Sequence, residues 1–338
     1  MLIFLYSSVI FFSLLTLFFS KKISQKIKKL PHQKFTTDFI PPLIGGYFII
    51  YVFLFYETVP NIYKVLYFSI FLIGTLSDFK ILNSPSLRLF LQIIIILLFV
   101  ESTNLYLENT RLSFLDEILK NYYFNIIFCS FCILIVINGT NFIDGLNGLV
   151  IGYYLMILLI LSTKQIYLSN FPQEFITLLI LLFSLIFILN QLNKIYLGDS
   201  GSYFLGFFVS TLLIQIYIFN QNISPYFVIL LIWYPCFENL FSIIRKYKIN
   251  TSPLYPDNYH LHHLIFKFFD KEIGLSKNIS NNLTSTLIIF YNFIIIFFGS
   301  LFYQNTKIQI SLILFNIVVY VILYIFLGLK INYKKIDQ

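Results

Sequence analysis

Long apolar runs alternate with short polar interruptions along most of this chain. Runs of spanning length cover residues 2–20, 43–58, 62–77, 87–102, 122–138, 147–163, 173–190, 202–219, 223–244, 284–303 and 308–328. A helix needs about 20 apolar residues to cross the hydrocarbon of a bilayer, and fewer where it tilts or ends early. Backbone in lipid must satisfy its own hydrogen bonds, so such runs are expected to be helical. The pattern predicts an all-α, polytopic membrane bundle of about eleven transmembrane helices. It reads as one domain over residues 1–338, with 284–338 supplying two C-terminal spans and a short basic tail. The first run has no basic stretch before it and lysines after it, unlike a cleaved signal.

Composition supports that reading and sets its orientation. The chain is 58% hydrophobic and only 11% charged, with a mean hydropathy of +0.83. Soluble domains carry about 25% charged residues, so this chain is too poorly solvated to be one. Segment 21–41 holds six lysines, and alternating from it assigns 18 of the 23 Lys and Arg to one side. By the positive-inside rule that side is the cytoplasm and the N-terminus lies outside. The net charge of +8 therefore reports membrane orientation, with no nucleic-acid partner implied. Cys129, Cys132 and Cys236 sit inside apolar runs and read as packing residues, although the first two are spaced C-x-x-C.

Four polar cassettes interrupt the apolar pattern, all on the predicted cytoplasmic side: Ser77–Arg88, Asn138–Asn147, Asn190–Ser202 and Arg245–His263. The outer loops carry no comparable cluster. In the first, Asp78 ends a span, Pro85 breaks the chain, and Arg88 opens the next span; interfacial charges marking the membrane edge are the plain alternative. In the second, Asn138, Asn141 and Asp144 recur every three residues, which on a helix places them on one face. Asn147 extends the series; mutual capping at a helix break is its plain alternative. A carboxylate beside hydrocarbon is costly unless it meets water, a metal or a partner. In the third, Gly198, Asp199, Ser200, Gly201 and Ser202 resemble a phosphate- or metal-binding loop leading into a helix, whose backbone N–H groups favour anions. In the fourth, Glu238 and Arg245 precede Asp257 and the histidines His260, His262 and His263. His260 and His263 would share a helical face and His262 would point elsewhere. Zinc is the rival reading for these imidazoles, but oxygen ligands dominate the other cassettes.

Together the cassettes resemble the polyprenyl-phosphate N-acetylhexosamine-1-phosphate transferase family, over about residues 41–265, from Pro42 and Gly46 to the histidine cluster. The resemblance implies an enzyme that transfers a sugar-1-phosphate from a UDP-N-acetylhexosamine to polyprenyl (undecaprenyl) phosphate. UMP is released, and a lipid-linked cell-surface polysaccharide is begun at the bacterial inner membrane. It implies a Mg²⁺ cofactor, with Mn²⁺ as a substitute, since two polyanions must meet. Asp199 matches the family's metal-binding Asp, with Asn141 and Asp144 nearest to complete the shell. Asp78, Asp144 and Asp199 are the implied catalytic set. Tyr196 falls where the family has an aromatic for the uracil ring, and Asn147 where the uracil edge is read. Arg245, His260, His262 and His263 are implied diphosphate or sugar contacts, with Asn138 beside them, and Arg88 meets the lipid phosphate.

Two positions depart from the family pattern. Ser77 replaces the first Asp of an Asp-Asp pair, and Asn258 replaces an Arg. An acceptor phosphate monoester is already mostly dianionic at pH 7, so a strong base at position 77 is not needed. Asn147 and Asn258 point away from the muramoyl-pentapeptide branch and toward enzymes that start surface polysaccharides such as O-antigen. A non-catalytic relative that only binds UDP-sugar, and a secondary transporter, are the competing readings. A homodimer is compatible with the sequence.

Overall fold

A computed structural model describes residues 41–56, 59–163, 172–253 and 257–333. The first predicted run and the lysines of segment 21–41 lie outside the described residues. In chain order the helices are α1 (Gly45–Phe55), α2 (Asn61–Asp78), α3 (Pro85–Thr103), α4 (Ser113–Leu119), α5 (Tyr122–Ile143), α6 (Leu149–Thr163) and α7 (Gln173–Gln191). They continue as α8 (Gly198–Phe219), α9 (Pro225–Leu231), α10 (Trp233–Lys248), α11 (Leu261–Lys267), α12 (Lys277–Leu301) and α13 (Thr306–Tyr333). A π-helical turn, Phe268–Ile273, follows α11. Among the described residues there is no strand, only an isolated parallel bridge between Leu43 and Tyr196.

Six of these helices are long and apolar enough to cross a membrane: α3, α5, α7, α8, α12 and α13. The bent pair α9–α10 makes a seventh if counted as one span, and α1 and α6 are shorter apolar helices. The run 223–244 is thus not one straight span. Its two halves meet at 76°, and the cause is local. Pro235 has no N–H to return to the carbonyl four residues back, so the helix cannot continue through it unbent. The carbonyl freed in this way, on Leu231, instead accepts the buried Tyr153 hydroxyl at 2.9 Å.

Helix α8 is the central column. Buried residues make up 83% of its apolar window, against 17% for α13 at the periphery. It packs against α1, α2 and α5. Lipid tails are as apolar as leucine, so helices in a bilayer associate through close packing and hydrogen bonds rather than water exclusion. The α1–α2–α8 seam shows both. The Phe53 and Tyr67 rings meet edge-on at 4.7 Å, Phe53 and Phe204 at 5.4 Å, and the Tyr67 hydroxyl bonds to Thr211. At the seam's polar end, Gly74 lets α2 touch the first turn of α8. A Cβ there would lie 2.5 Å from Asp199 O and Ser200 Cα. That contact brings the first and third cassettes together.

Candidate active site

The junction of α2, α3, α5 and α8 is centred on Asp199. Its Oδ2 accepts from Ser77 Oγ at 2.6 Å and from Arg88 at 3.2 Å, and its Oδ1 accepts from Asn141 Nδ2 at 2.8 Å. Arg88 also donates to Ser77 Oγ, so the serine hydroxyl lies between cation and carboxylate. Asn141 Nδ2 reaches Ser202 Oγ as well, at 3.0 Å. Arg88 is held by the start of α3, where Pro85 occupies the first turn and Ser84 Oγ accepts from Leu87 N–H. One turn on, Gln92 is buried and its Oε1 accepts from Asn138 Nδ2 at 3.4 Å. The Gln92 Nε2 and Arg88 Nε atoms are buried without a hydrogen-bond partner.

Asp78 has a different place. Its two oxygens accept the backbone N–H groups of Asp199 (2.9 Å) and Ser200 (3.1 Å). It caps the start of α8 from another helix, satisfying groups that a helix leaves unpaired. Gly198 is required for this. It has φ +78°, and any Cβ would sit 2.8 Å from Asp78 Oδ2. The anion expected at this helix start is therefore the protein's own carboxylate. Tyr196, just before, is fixed through its backbone to the chain entering α1: its N–H reaches Pro42 O at 2.9 Å, and its carbonyl accepts from Gly45 N–H at 2.9 Å.

The second cassette divides where α5 ends. Asn138 and Asn141 share the helical face toward Gln92 and Asp199, as their spacing predicts. The helix stops at Ile143, with Asp144 as its C-terminal cap. The Asp144 N–H donates to Asn141 O at 3.3 Å, and its carboxyl group makes no hydrogen bond or ion pair to the described residues. Burial first, then the charges of Asp199 and Asp78, raise its pKa well above the usual carboxylate range. Asn147 leaves the expected face altogether. It is buried, and its side chain donates to Asn193 (2.8 Å) and Asn282 (3.3 Å) while Asn281 accepts its N–H at 2.8 Å. Gln191 Nε2 donates to its carbonyl and to Ser285. This belt of amides ties α6, α7 and α12 together and leaves Asn147 no free donor for a base edge. Gln191 and Asn193 fall in the third cassette without a spacing that singles them out, and Asn281 and Asn282 escape a sequence reading because they mark only an apolar run's edge.

The histidines converge more fully than their spacing predicts. His260 precedes α11 in extended backbone, so His262 is not turned away. Ring centroids are 4.1 Å apart for His262 and His263, and 5.5 Å from His260 to each. All three rings are buried. They abut the second cassette, since a Cβ on Gly145 would lie 2.7 Å from His263 Nε2 and 3.0 Å from His262 Nε2. Neither nitrogen of His262 has a hydrogen-bond partner among the described residues, and burial lowers its pKa to about 3, leaving it neutral at pH 7.

Arg245 spends its two terminal nitrogens within the protein, leaving Nε buried without a partner among the described residues. It grips Asp257 at 2.8 and 3.0 Å, Ser242 at 3.1 Å and the Tyr259 carbonyl at 3.0 Å, holding the segment that leads to His260. Burial alone would raise Asp257, but the Tyr259 N–H and the charges of His260, Arg245 and Lys246 hold its carboxyl below the usual range. Glu238, from the middle of α10, accepts from His260 Nδ1 at 2.9 Å.

These donors suit a hard cation in part. Asp144 is a carboxyl group near enough to Asp199 and Asp78 for their charges to raise its pKa, so a cation would favour its ionised form, and Asn141 adds an amide. No three His, Cys, Asp or Glu among the described residues form a metal-holding group. Mg²⁺ usually takes one or two carboxylates and completes its shell with water and substrate phosphate, which is the set this site offers.

An all-helical membrane bundle with a carboxylate, arginine and imidazole site at one end is the class of protein this geometry defines. Residues 61–217 match the model of glycosyl transferase family 4. It is 25% identical over 277 residues to an undecaprenyl-phosphate alpha-N-acetylglucosaminyl 1-phosphate transferase of Yersinia pestis, covering 77% of this chain and 75% of that one. A Thermotoga maritima protein of the same name is 26% identical over 265 residues, covering 76% and 75%. A probable undecaprenyl-phosphate N-acetylglucosaminyl 1-phosphate transferase of Bacillus subtilis is 29% identical over 222 residues, covering 63% and 58%.

Proposed function

We propose that the chain transfers a sugar-1-phosphate, that of an N-acetylhexosamine, from a UDP-sugar to polyprenyl phosphate. An oxygen of the lipid phosphate attacks the β-phosphorus of the UDP-sugar. The bond from that phosphorus to the bridging oxygen breaks, and UMP leaves with the bridging oxygen. The observation that carries the reading is the Asp199 junction, where Arg88, Ser77 and Asn141 meet one carboxylate beside a pocket of three buried imidazoles.

The chain's own residues supply position and charge, which dominate phosphoryl transfer. Arg88 neutralises acceptor phosphate as it exchanges its contact with Asp199. Asp78 keeps the first turn of α8 rigid, so that Asp199 holds its place. His262 and His263, packed against Gly145, bring uncharged nitrogens to the diphosphate or sugar. A Mg²⁺ ion held by Asp199, Asp144 and Asn141, with Mn²⁺ as a substitute, supplies charge neutralisation when bound. The bundle is read as eleven spans, N-terminus outside, with this site at the cytoplasmic face of a bacterial inner membrane. The product is read as the first lipid-linked unit of a surface polysaccharide such as O-antigen.

The test is UMP release by purified protein in detergent, across UDP-N-acetylhexosamines, with and without undecaprenyl phosphate, and with Mg²⁺ or EDTA. Release that needs both lipid phosphate and Mg²⁺ is the expected result. UDP-sugar binding without release would identify a non-catalytic relative instead.

A further inference from the structure

Glu238 is the one acidic side chain among the described residues with 1% exposure, on a helix with no second carboxylate. Its Oε1 accepts twice: from His260 Nδ1 at 2.9 Å and from Leu261 N–H, the first residue of α11, at 3.3 Å. Its Oε2 has the Tyr234 and Tyr320 hydroxyls for neighbours, but none of the three atoms completes a well-formed hydrogen bond among the described residues. A buried carboxylate is costly even when paired, and a half-satisfied polar group is worse than an apolar one. Such a residue is a poor choice for holding helices together. It is a good choice for holding an imidazole.

The geometry defines what is held. An ionised carboxylate can only accept, so His260 Nδ1 carries a hydrogen whether the ring is neutral or charged, and the ring is fixed in plane. The Nε2 edge then lies 3.7 Å from Asp257 Oδ1, whose position Arg245 sets. Phe142, from the second cassette, lies 5.3 Å from the ring, and the His262 ring is parallel to it within 11°. Through Leu261 N–H the same carboxylate oxygen also anchors the helix that carries His262 and His263. One atom thus registers all three imidazoles against the bent membrane helix.

We propose that Glu238 is a positioning residue: it fixes the tautomer and orientation of His260, leaving Nε2 as the nitrogen that meets substrate. The proposal rests on the functional reading above for its kinetic consequence, but not for its structural one. Removing a carboxylate that orients a metal-bound imidazole costs about 10- to 100-fold, and a loss of the same order is expected where the imidazole meets substrate instead.

The first test is a double-mutant cycle on UMP release with Glu238→Gln, His260→Gln and the pair. Glu238→Gln is expected to lower kcat about 10- to 100-fold with little change in KM for the UDP-sugar. In the His260→Gln background it is expected to cost less than about 2-fold, because coupled residues are non-additive. Full additivity would overturn the proposal, since Glu238 would then act without His260. Glu238→Asp, which keeps the charge but shortens its reach, is expected to fall between wild type and Glu238→Gln.

The second test needs no turnover. In ¹⁵N-histidine NMR spectra of the full-length protein in detergent, the signals that vanish in His260→Gln are those of His260. They are expected to show a protonated Nδ1 in wild type and to shift in Glu238→Gln and Glu238→Asp. Signals unmoved by both variants would overturn the proposal. If they move while wild type releases no UMP from any donor, the positioning role stands and the transferase reading fails.

Discussion

The two ends of the bundle use arginine in opposite ways. At one end Arg111 donates to neutral acceptors alone: the carbonyls of Gln304 (2.8 Å), Gln221 (3.3 Å), Asn222 (3.1 Å) and Ile223 (3.2 Å), and Thr306 Oγ1 (2.8 Å). It stitches three connections together and every partner is satisfied. At the other end Arg88 and Arg245 meet carboxylates, and their surroundings hold unpaired buried atoms, a lone Asp144 and a crowded set of imidazoles. Native structures leave few buried polar groups unsatisfied. An end that concentrates them is built for something that has yet to bind, whereas the Arg111 end is nearly complete, with Gln309 Oε1 left buried without a partner among the described residues.

The sharpest way to break this contrast is at Asp199. Asp199→Asn is expected to abolish turnover, a loss of at least about 10²- to 10³-fold in kcat of the kind seen when one key electrostatic group is removed. It should also abolish any rise in melting temperature that Mg²⁺ gives the wild type. Wild-type UMP release by this variant would remove Asp199 from the centre of the site.

Asp144→Asn follows, at about 10²-fold in kcat, and its effect on stability has the opposite sign. A carboxylate whose pKa is raised in the folded state contributes fully below its unfolded value, near 3.9, and loses that contribution as pH rises through the folded value. At pH values above the unfolded pKa Asp144 therefore weakens the fold, because burial and its acidic neighbours disfavour the charge that the unfolded chain accepts freely. The neutral amide escapes that penalty. Asp144→Asn should melt higher than wild type at pH 8, with the gap closing as the buffer is taken toward pH 5. A variant that melts lower at pH 8 would mean that Asp144 already has a stabilising partner.

Much of this end was legible in the sequence. Periodicity alone put Asn138 and Asn141 on one helical face, and Pro85 announced the helix that carries Arg88. What was not legible depends on partners distant along the chain. Nothing local says that Asp78 would cap α8 across 120 residues, since capping from a separate helix leaves no spacing signal. Asn147 looked like the next member of a series because the end of α5 at Ile143 could not be placed to a residue. The bend at Ile232 was masked by an unbroken apolar run, although Pro235 was its visible cause. Among the described residues six helices, or seven with the bent pair, are long and apolar enough to cross a membrane, and the first predicted run lies outside them. Short helices such as α1 and α6 pass as spans on hydropathy but owe their place to packing.

Ser77→Ala sharpens the contrast at a smaller scale. The serine hydroxyl bridges Arg88 and Asp199, so its loss frees both to move but removes neither charge. A few-fold fall in kcat is expected, with Asp199 still held by Asn141 and directly by Arg88. A loss as large as that of Asp199→Asn would make the hydroxyl itself part of the chemistry.

Arg111→Ala tests the nearly complete end and should leave the chemistry untouched. The side chain is exposed, so each contact competes with water, and hydrogen bonds of this kind contribute about 1 kcal/mol or less once that exchange is counted. Five acceptors share one guanidinium, however, and the connections they belong to precede α4, α9 and α13. Losing the staple should therefore lower the melting temperature by a few degrees and increase proteolysis in the segments 220–224 and 303–306. UMP release per folded molecule should be unchanged, because nothing Arg111 touches reaches Asp199 except through the length of the bundle. If turnover fell along with stability, the two ends would be coupled through α8, the helix that joins them, and the division of labour between them would be wrong.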